Sequence, residues 1–307
     1  MRYNLDKFKY HILYSGVKYE GGIFMPFQII PVDTGRNETK LLDGISFKSI
    51  VGDWHHREMS DGGEYEVIIN DKEKHFVGQL AEDESFAPTS MNTASKIHNQ
   101  TRVLFITAVG LSIVENESDL LIVTGVPIID FNTTTKKALE DLLYGDYDIQ
   151  INGERKKFSI NNLKLVPEAV ASFQYALYKD ESLAIGKKRI LDLGSLTVNY
   201  ATIKETKFIT RDSGTVQFGS IKLKDNHIDD KQYVQKIISE LSEKFTDYED
   251  SDRILLTGGG ALKFGDLFKQ FYKNVEIITN PVFSNTNGYH RMGLKAWANQ
   301  LANSQAE

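Results

Sequence analysis

The segment Leu191-Asp192-Leu193-Gly194-Ser195-Leu196-Thr197 constrains the fold more than any other part of the 307-residue chain. Ile190 to Leu193 reads as a buried strand that delivers Asp192 to its end, where Gly194 permits a tight turn. Main-chain N–H groups in such a turn can cradle a phosphate. A strand-end carboxylate can hold a magnesium ion through water. The plainer reading is a hairpin with a polar turn. A second segment has the same character: Leu255-Leu256-Thr257-Gly258-Gly259-Gly260-Ala261 runs from an apolar strand into three glycines. Glycines there let the main chain approach a flat ligand with no side chain between. The second segment matches neither the P-loop nor the dinucleotide fingerprint.

Strands that end in glycine-rich turns ahead of helices recur in both halves. That is the pattern of α/β domains with ligand loops at the carboxyl ends of strands. Residues 8–14 and 22–32, with Ser15-Gly16 between them, read as a hairpin. Residues 34–90 are polar with short strand-like pieces, Glu66–Asn70 and His75–Gly78, and suggest a small appended subdomain. Ala94–Val114 is mostly helical in character, Leu120–Val123 forms a buried strand, and Thr134–Tyr144 is an amphipathic helix. Asp148–Leu165 reads as a hairpin around Asn152-Gly153. Pro167 is expected to open a helix running through Tyr178. Val198–Ile203 and Lys207–Arg211 continue the Ile190 strand as a meander. Val234, Ile237, Ile238, Leu241 and Phe245 recur at helical spacing, and Gly293–Leu301 closes the chain as a helix.

Composition narrows the function classes. The formal net charge of −6 argues against direct grip on a nucleic-acid backbone, which needs clustered Lys and Arg. The absence of Cys excludes disulfides, thiolate catalysis and Cys-ligated metals. The longest apolar stretch, Val103–Val114, is too short to span a bilayer, and residues 1–10 lack a signal-peptide core. No membrane association and a cytoplasmic setting are the expectations.

A third segment, Val166-Pro167-Glu168-Ala169, puts a carboxylate in what reads as the first turn of a helix, where the dipole alone would favour it. In order and spacing the three segments resemble the actin-like ATPase superfamily, and most closely the ParM group of plasmid-segregating filaments. Leu191–Thr197 resembles the second phosphate loop, and Leu256–Ala261 the adenosine loop. Val166–Ala169 resembles the segment whose Glu positions the attacking water. Asn280-Pro281-Val282-Phe283-Ser284-Asn285 with Gly288 resembles the stretch before the last helix. The resemblance implies an α/β, ribonuclease-H-like two-domain fold with a central nucleotide cleft. Domain I would be residues 1–165, with a small subdomain at about 33–92, and domain II 166–289, with 290–307 returning to domain I as a helix. Little more than one helix separates Leu223 from the Leu255 strand. The second small subdomain is therefore reduced, as in AlfA, and filament neighbours would complete the nucleotide site.

The resemblance further implies ATP or GTP with Mg2+, Glu168 and Asp192 as catalytic residues, and Asp192 near the metal. Nucleotide would be bound by Ser15, Gly16, Lys18, Gly194, Ser195, Leu196, Thr197, Gly258, Gly259 and Gly260. The partners implied are other copies of the chain in a filament and a DNA-binding adaptor. In the first phosphate loop the family carries Asp-x-Gly, four variable positions and Lys. Set against His11–Lys18, that pattern meets His11 in place of Asp and Leu13 in place of Gly. In the second loop Ser195 and Leu196 stand where Gly and Thr are common, and Asn199 where Asp is frequent. These departures put hydrolysis in question and leave a second reading open, a scaffold that assembles without efficient turnover. A small-molecule kinase of the superfamily would need a carboxylate base and a sugar-binding insert, and neither is found in the sequence. His55-His56, Trp54, Trp297 and the Asp247–Asp252 run read as surface, packing residues and a solvated turn.

Overall fold

The computed structural model describes residues 28–58, 65–91, 95–113, 120–225 and 227–304. Two five-stranded sheets share one wiring. In the first, Gln28–Thr34, Glu38–Lys40 and Ser46–Lys48 form an antiparallel meander. Leu120–Val126 then adds parallel to the opening strand, and Leu163–Pro167 adds parallel to that. In the second, Lys187–Leu193, Val198–Lys204 and Lys207–Val216 form the meander. Arg253–Thr257 and Val275–Ile277 add in parallel on the other side. The central parallel strands are buried on both faces and read as unbroken apolar runs, Leu120–Val123 and Ile254–Leu256.

Two helices lie between the sheets. Val170–Lys179 packs its Val170, Phe173 and Ala176 against Ile190, Ala201 and Leu255 of the second sheet. Ser284–Ser304 lays Tyr289 against Ile29, Leu121 and Val123 of the first. It begins nine residues before the Gly293 start read from the sequence. The outer face of the first sheet is covered by Asn99–Ser112, and that of the second by Asp230–Ser242 and Ala261–Phe268. Helix starts follow local chemistry. Asn132 caps Thr133–Leu143 by accepting from the Thr135 N–H (2.8 Å), and Asp229 forms a capping box with Gln232.

A third, six-stranded antiparallel sheet is built from Ile50–Asp53, Tyr65–Ile69, Glu73–Val77 and Thr89–Ser90, joined by the hairpin Gly145–Ile151/Glu154–Ile160. Asn152 and Gly153 both have positive φ at its turn, as an Asn-Gly turn requires. The small subdomain thus draws on residues 145–160, outside the 33–92 range. Glu38–Lys48 belongs to the first sheet instead.

Three local expectations are corrected. Pro167 does not open a helix. It ends an edge strand of the first sheet, where a missing N–H costs no ladder bond, and the helix starts only at Val170. Asp252 is not solvated. It is buried and pairs with the fully buried Arg189 (Nε to Oδ2, 3.1 Å), while Asp247 meets the same guanidinium. Trp54 packs under Lys74 and donates to Glu66, as a packing residue, and His56 is exposed, but His55 is half-buried and packs its ring against Phe76 and Phe86 rather than lying solvated. The side chain of Trp297 lies outside the described residues.

Candidate functional site

Both sheets have the same strand order, so the carboxyl ends of their parallel strands meet across one cleft. Asp33 stands at the end of the opening strand of the first sheet and Asp192 at the end of its counterpart in the second. Each is followed two residues later by glycine: Asp33-Thr34-Gly35 and Asp192-Leu193-Gly194. Glu168 leaves the end of Leu163–Pro167 in a two-residue turn. Its N–H extends the ladder to Val126 O (2.9 Å), and the next residue, Ala169, takes φ 66 to swing the chain into the helix. Asp33, Glu168 and Asp192 are all buried.

Each carboxylate is held by a specific partner. Glu168 accepts from Asn199 Nδ2 through Oε2 (2.7 Å) and from Lys96 Nζ through Oε1 (2.7 Å). Lys96 also donates to Gly125 O (3.1 Å) and lies 4.0 Å from Asp33 Oδ1. Lys40 Nζ is 3.8 Å from Asp33 Oδ2. Asp192 Oδ2 accepts from Asn285 Nδ2 (2.7 Å), and Asn285 Oδ1 accepts from the Ala169 N–H and Ser172 Oγ. One amide therefore ties the Glu168 turn to Asp192. Asn199 suits its place better than Asp would. Its Oδ1 is filled by Thr215 Oγ1 and the Ile128 N–H, and its amide nitrogen feeds Glu168, which a carboxylate would repel. Burial, then the neighbouring Glu168, pushes the Asp192 carboxyl up to about 7. Below the cluster Tyr289 is buried with its hydroxyl unpartnered among the described residues, close enough to Asp33, Glu168 and Asp192 for their charges to raise its pKa after burial has done so.

Among the described residues the second loop has donors left over. The Gly194 N–H closes the turn on Thr197 O (3.0 Å), whereas the N–H groups of Ser195, Leu196 and Thr197 find no acceptor among the described residues. The carbonyls of Gly194, Ser195 and Leu196 accept from Ser220, Ile221 and Gly219, which fixes the loop. Next to it, Gly258 takes φ 80, and a Cβ there would lie 2.4 Å from Asp192 Oδ1. A Cβ on Gly259 meets nothing within 4 Å. Gly258→Ala is therefore expected to cost about 1–3 kcal/mol of stability and to crowd Asp192, while Gly259→Ala is tolerated. Thermal unfolding of the two variants side by side checks this.

Among the residues expected to bind nucleotide, the structure brings Glu168, Asp192, Gly194–Thr197 and Gly258–Gly260 to one cleft. Ser15, Gly16 and Lys18, with His11 and Leu13, lie outside the described residues. The order Asp-x-Gly, four positions, Lys occurs complete elsewhere, at Asp33-Thr34-Gly35-Arg36-Asn37-Glu38-Thr39-Lys40. A Cβ on Gly35 would meet Glu38 O at 2.6 Å, so this turn needs glycine. Sequence reasoning missed Asp33, Lys40, Lys96 and Tyr289. The repeated strand-Asp-x-Gly signature was the signal that could have found the first two.

Among the described residues, no three His, Cys, Asp or Glu side chains close around one point as a direct ligand shell. Mg2+ commonly keeps its waters and uses one or two carboxylates plus phosphate oxygens, and the Asp33 and Asp192 carboxylates at the facing strand ends fit an ion held in that way. No helix among the described residues is long and apolar enough to cross a membrane.

This cleft, between two sheets of one wiring, defines a class. Residues 31–170 match the family model of the N-terminal domain of actin-like proteins. A ParM filament from Clostridium botulinum superposes with a TM-score of 0.75 and 23% identity, over 88% of this chain and 100% of its own. Apo psk41 ParM gives 0.71 and 21%, over 91% and 100%. An AlfA filament bound to AMPPNP gives 0.66 and 18%, over 87% and 98%. No curated protein sequence matches the chain. The fold is that of the actin-like proteins. Within that fold the chain is similar to the filament proteins ParM and AlfA, as its motifs had implied.

Proposed function

We propose that the chain binds a purine nucleoside triphosphate with Mg2+ in this cleft and polymerises into filaments that segregate plasmid or phage DNA, with hydrolysis governing filament turnover. The observation that carries the reading is the meeting of Asp33, Glu168 and Asp192 at the facing strand ends of the two sheets. The likeness to filament structures, one of them bound to AMPPNP, supports it.

In this reading Asp33–Lys40 is the first phosphate loop, with Gly35 admitting the phosphate and Lys40 supplying charge. The N–H groups of Ser195–Thr197 bind from the opposite side, and the base lies against Gly258–Gly260. Asp33 and Asp192 would hold the magnesium through its waters, and the ion would neutralise the phosphate oxygens. Glu168, fixed by Asn199 and Lys96, accepts a hydrogen bond from the attacking water and aims it in line. Catalysis here is positioning and charge stabilisation. Domain I extends to about residue 165, with the closing helix returning to it, and domain II fills the stretch between. Neighbouring copies complete the nucleotide site where the second small subdomain is reduced. A DNA-binding adaptor carries the cargo, in keeping with the net charge of −6, and the setting is cytoplasmic. With Asp33–Lys40 as the first loop, the departures at His11 and Leu13 no longer bear on hydrolysis. Ser195 and Leu196 still depart from the family pattern and keep the second reading, a scaffold that assembles without efficient turnover.

Light scattering and pelleting with ATP or GTP, with and without Mg2+, test the proposal. Polymer is expected only with triphosphate and magnesium, and Asp33→Ala is expected to abolish that dependence. A protein that stays monomeric under every condition, or pellets equally in all, overturns it.

A further inference from the structure

We propose that Lys96 is a tethered cation of the acidic cleft: it holds Glu168 in place and keeps free divalent metal ions out until nucleotide brings its own. The inference rests on the nucleotide-site reading above and assigns the cleft a guard that this reading does not include.

Lys96 enters from residues 95–98, which lead into the helix Asn99–Ser112. The Ser95 carbonyl accepts from Arg36 Nη1 (3.1 Å), so the lysine's backbone is tied to the same loop that carries Asp33 and Gly35. Its side chain is 7% exposed. Its ammonium meets Glu168 Oε1 at 2.7 Å and Gly125 O at 3.1 Å, with Asp33 Oδ1 at 4.0 Å. These are hard oxygen atoms from the ends of all three parallel strands of the first sheet, the donor set that Mg2+ and Mn2+ prefer. The buried Tyr289 hydroxyl, unpartnered among the described residues, stands beside Gly125, where a Cβ would lie only 2.0 Å from it. A polar atom left unpaired in a buried site costs free energy unless water or an ion satisfies it. The ammonium therefore sits where a small cation would sit. It supplies one charge among Asp33, Glu168 and Asp192, with Lys40 beside Asp33 and the partly buried Arg36 close enough to Glu168 for their charges to interact. An ordinary buried ion pair would need only Glu168. The carbonyl and the second carboxylate mark a cation position.

The test uses no nucleotide, so its failure is distinct from failure of the filament reading. Mn2+ binding to the nucleotide-free full chain is followed by electron paramagnetic resonance for wild type, Lys96→Arg, Lys96→Met and Lys96→Met/Glu168→Gln. Wild type and Lys96→Arg are expected to bind no Mn2+ at the cleft. Lys96→Met is expected to gain one site per chain, with a dissociation constant on the order of 10⁻⁴–10⁻³ M, as for other few-carboxylate oxygen sites. The double variant is expected to lose that gain. Should Lys96→Met be unfolded without metal, Mn2+ at millimolar concentration is expected to restore its near-ultraviolet circular dichroism. A folded Lys96→Met that binds no Mn2+, an unfolded one that Mn2+ does not rescue, or a wild type that binds as tightly as the variant overturns the proposal.

Discussion

Glu168→Gln is expected to slow nucleoside-triphosphate hydrolysis by about 10²–10³-fold, the range for one lost electrostatic or positioning element, while filaments still form and last longer. Glutamine keeps the size and the turn but not the negative charge that holds and aims the attacking water. It also cannot satisfy both neighbours. Lys96 and the Asn199 amide nitrogen both donate to Glu168, and Asn199 cannot flip without abandoning Thr215 and Ile128. One of the two donors loses its acceptor, at a cost of about 1–3 kcal/mol. A lower unfolding temperature should thus accompany the slower turnover. Phosphate release at saturating nucleotide and light scattering on the same sample separate the two effects. Unchanged turnover in a destabilised variant would reduce Glu168 to the ion-pair partner of Lys96.

The second large effect concerns Asp192. Its carboxyl is pushed up to about 7 in the folded chain, against 3.8 in the unfolded one. Between those values the folded state holds a proton that the unfolded state has released. The Asp192 contribution to stability in the nucleotide-free protein therefore falls as pH rises from about 4 to about 7, and levels off above. Asp192→Asn keeps an acceptor for Asn285 Nδ2 (2.7 Å) and removes the charge. It is expected to be more stable than wild type at pH 8, by on the order of a few kcal/mol, and so to unfold at a higher temperature, with the difference closing towards pH 4. It is also expected to lose stabilisation by magnesium nucleotide. The readout is the difference between the two proteins across that pH window, which cancels the titration of groups they share. A difference that is flat with pH would show that Asp192 is not strained by its surroundings.

How far the sequence exposes this architecture depends on how local each signal is. Asp192-Leu193-Gly194 and Gly258–Gly260 announce themselves because an apolar strand runs straight into each turn. The Asn152-Gly153 hairpin and the Asp230–Ser242 helix are equally local. Pro167 misleads because proline suits both a helix start and the end of an edge strand, and only the pairing with Val126 decides between them. Asp33 escapes notice because the phosphate pattern was matched to the first Ser-Gly turn in the chain, and Pro31 breaks the apolar run before it. Lys96 carries no signal at all. A lysine in a polar stretch reads as solvated until the fold brings Glu168, 72 residues away in sequence, to its ammonium.

The composition of the small sheet bears on how the chain is made. Tyr65–Ile69 pairs with Glu73–Val77 on one side and with Gly145–Ile151 on the other. On a ribosome the first partner follows at once, but the second emerges roughly 80 residues later, a wait of about 4–16 s at ordinary rates of synthesis. Throughout that interval the strand presents an open edge whose Val67 and Ile69 are fully buried in the finished protein. An unpaired apolar edge is a template for pairing with another chain. Nascent copies emerging side by side on one message are thus most vulnerable to one another here, before residue 151 has appeared.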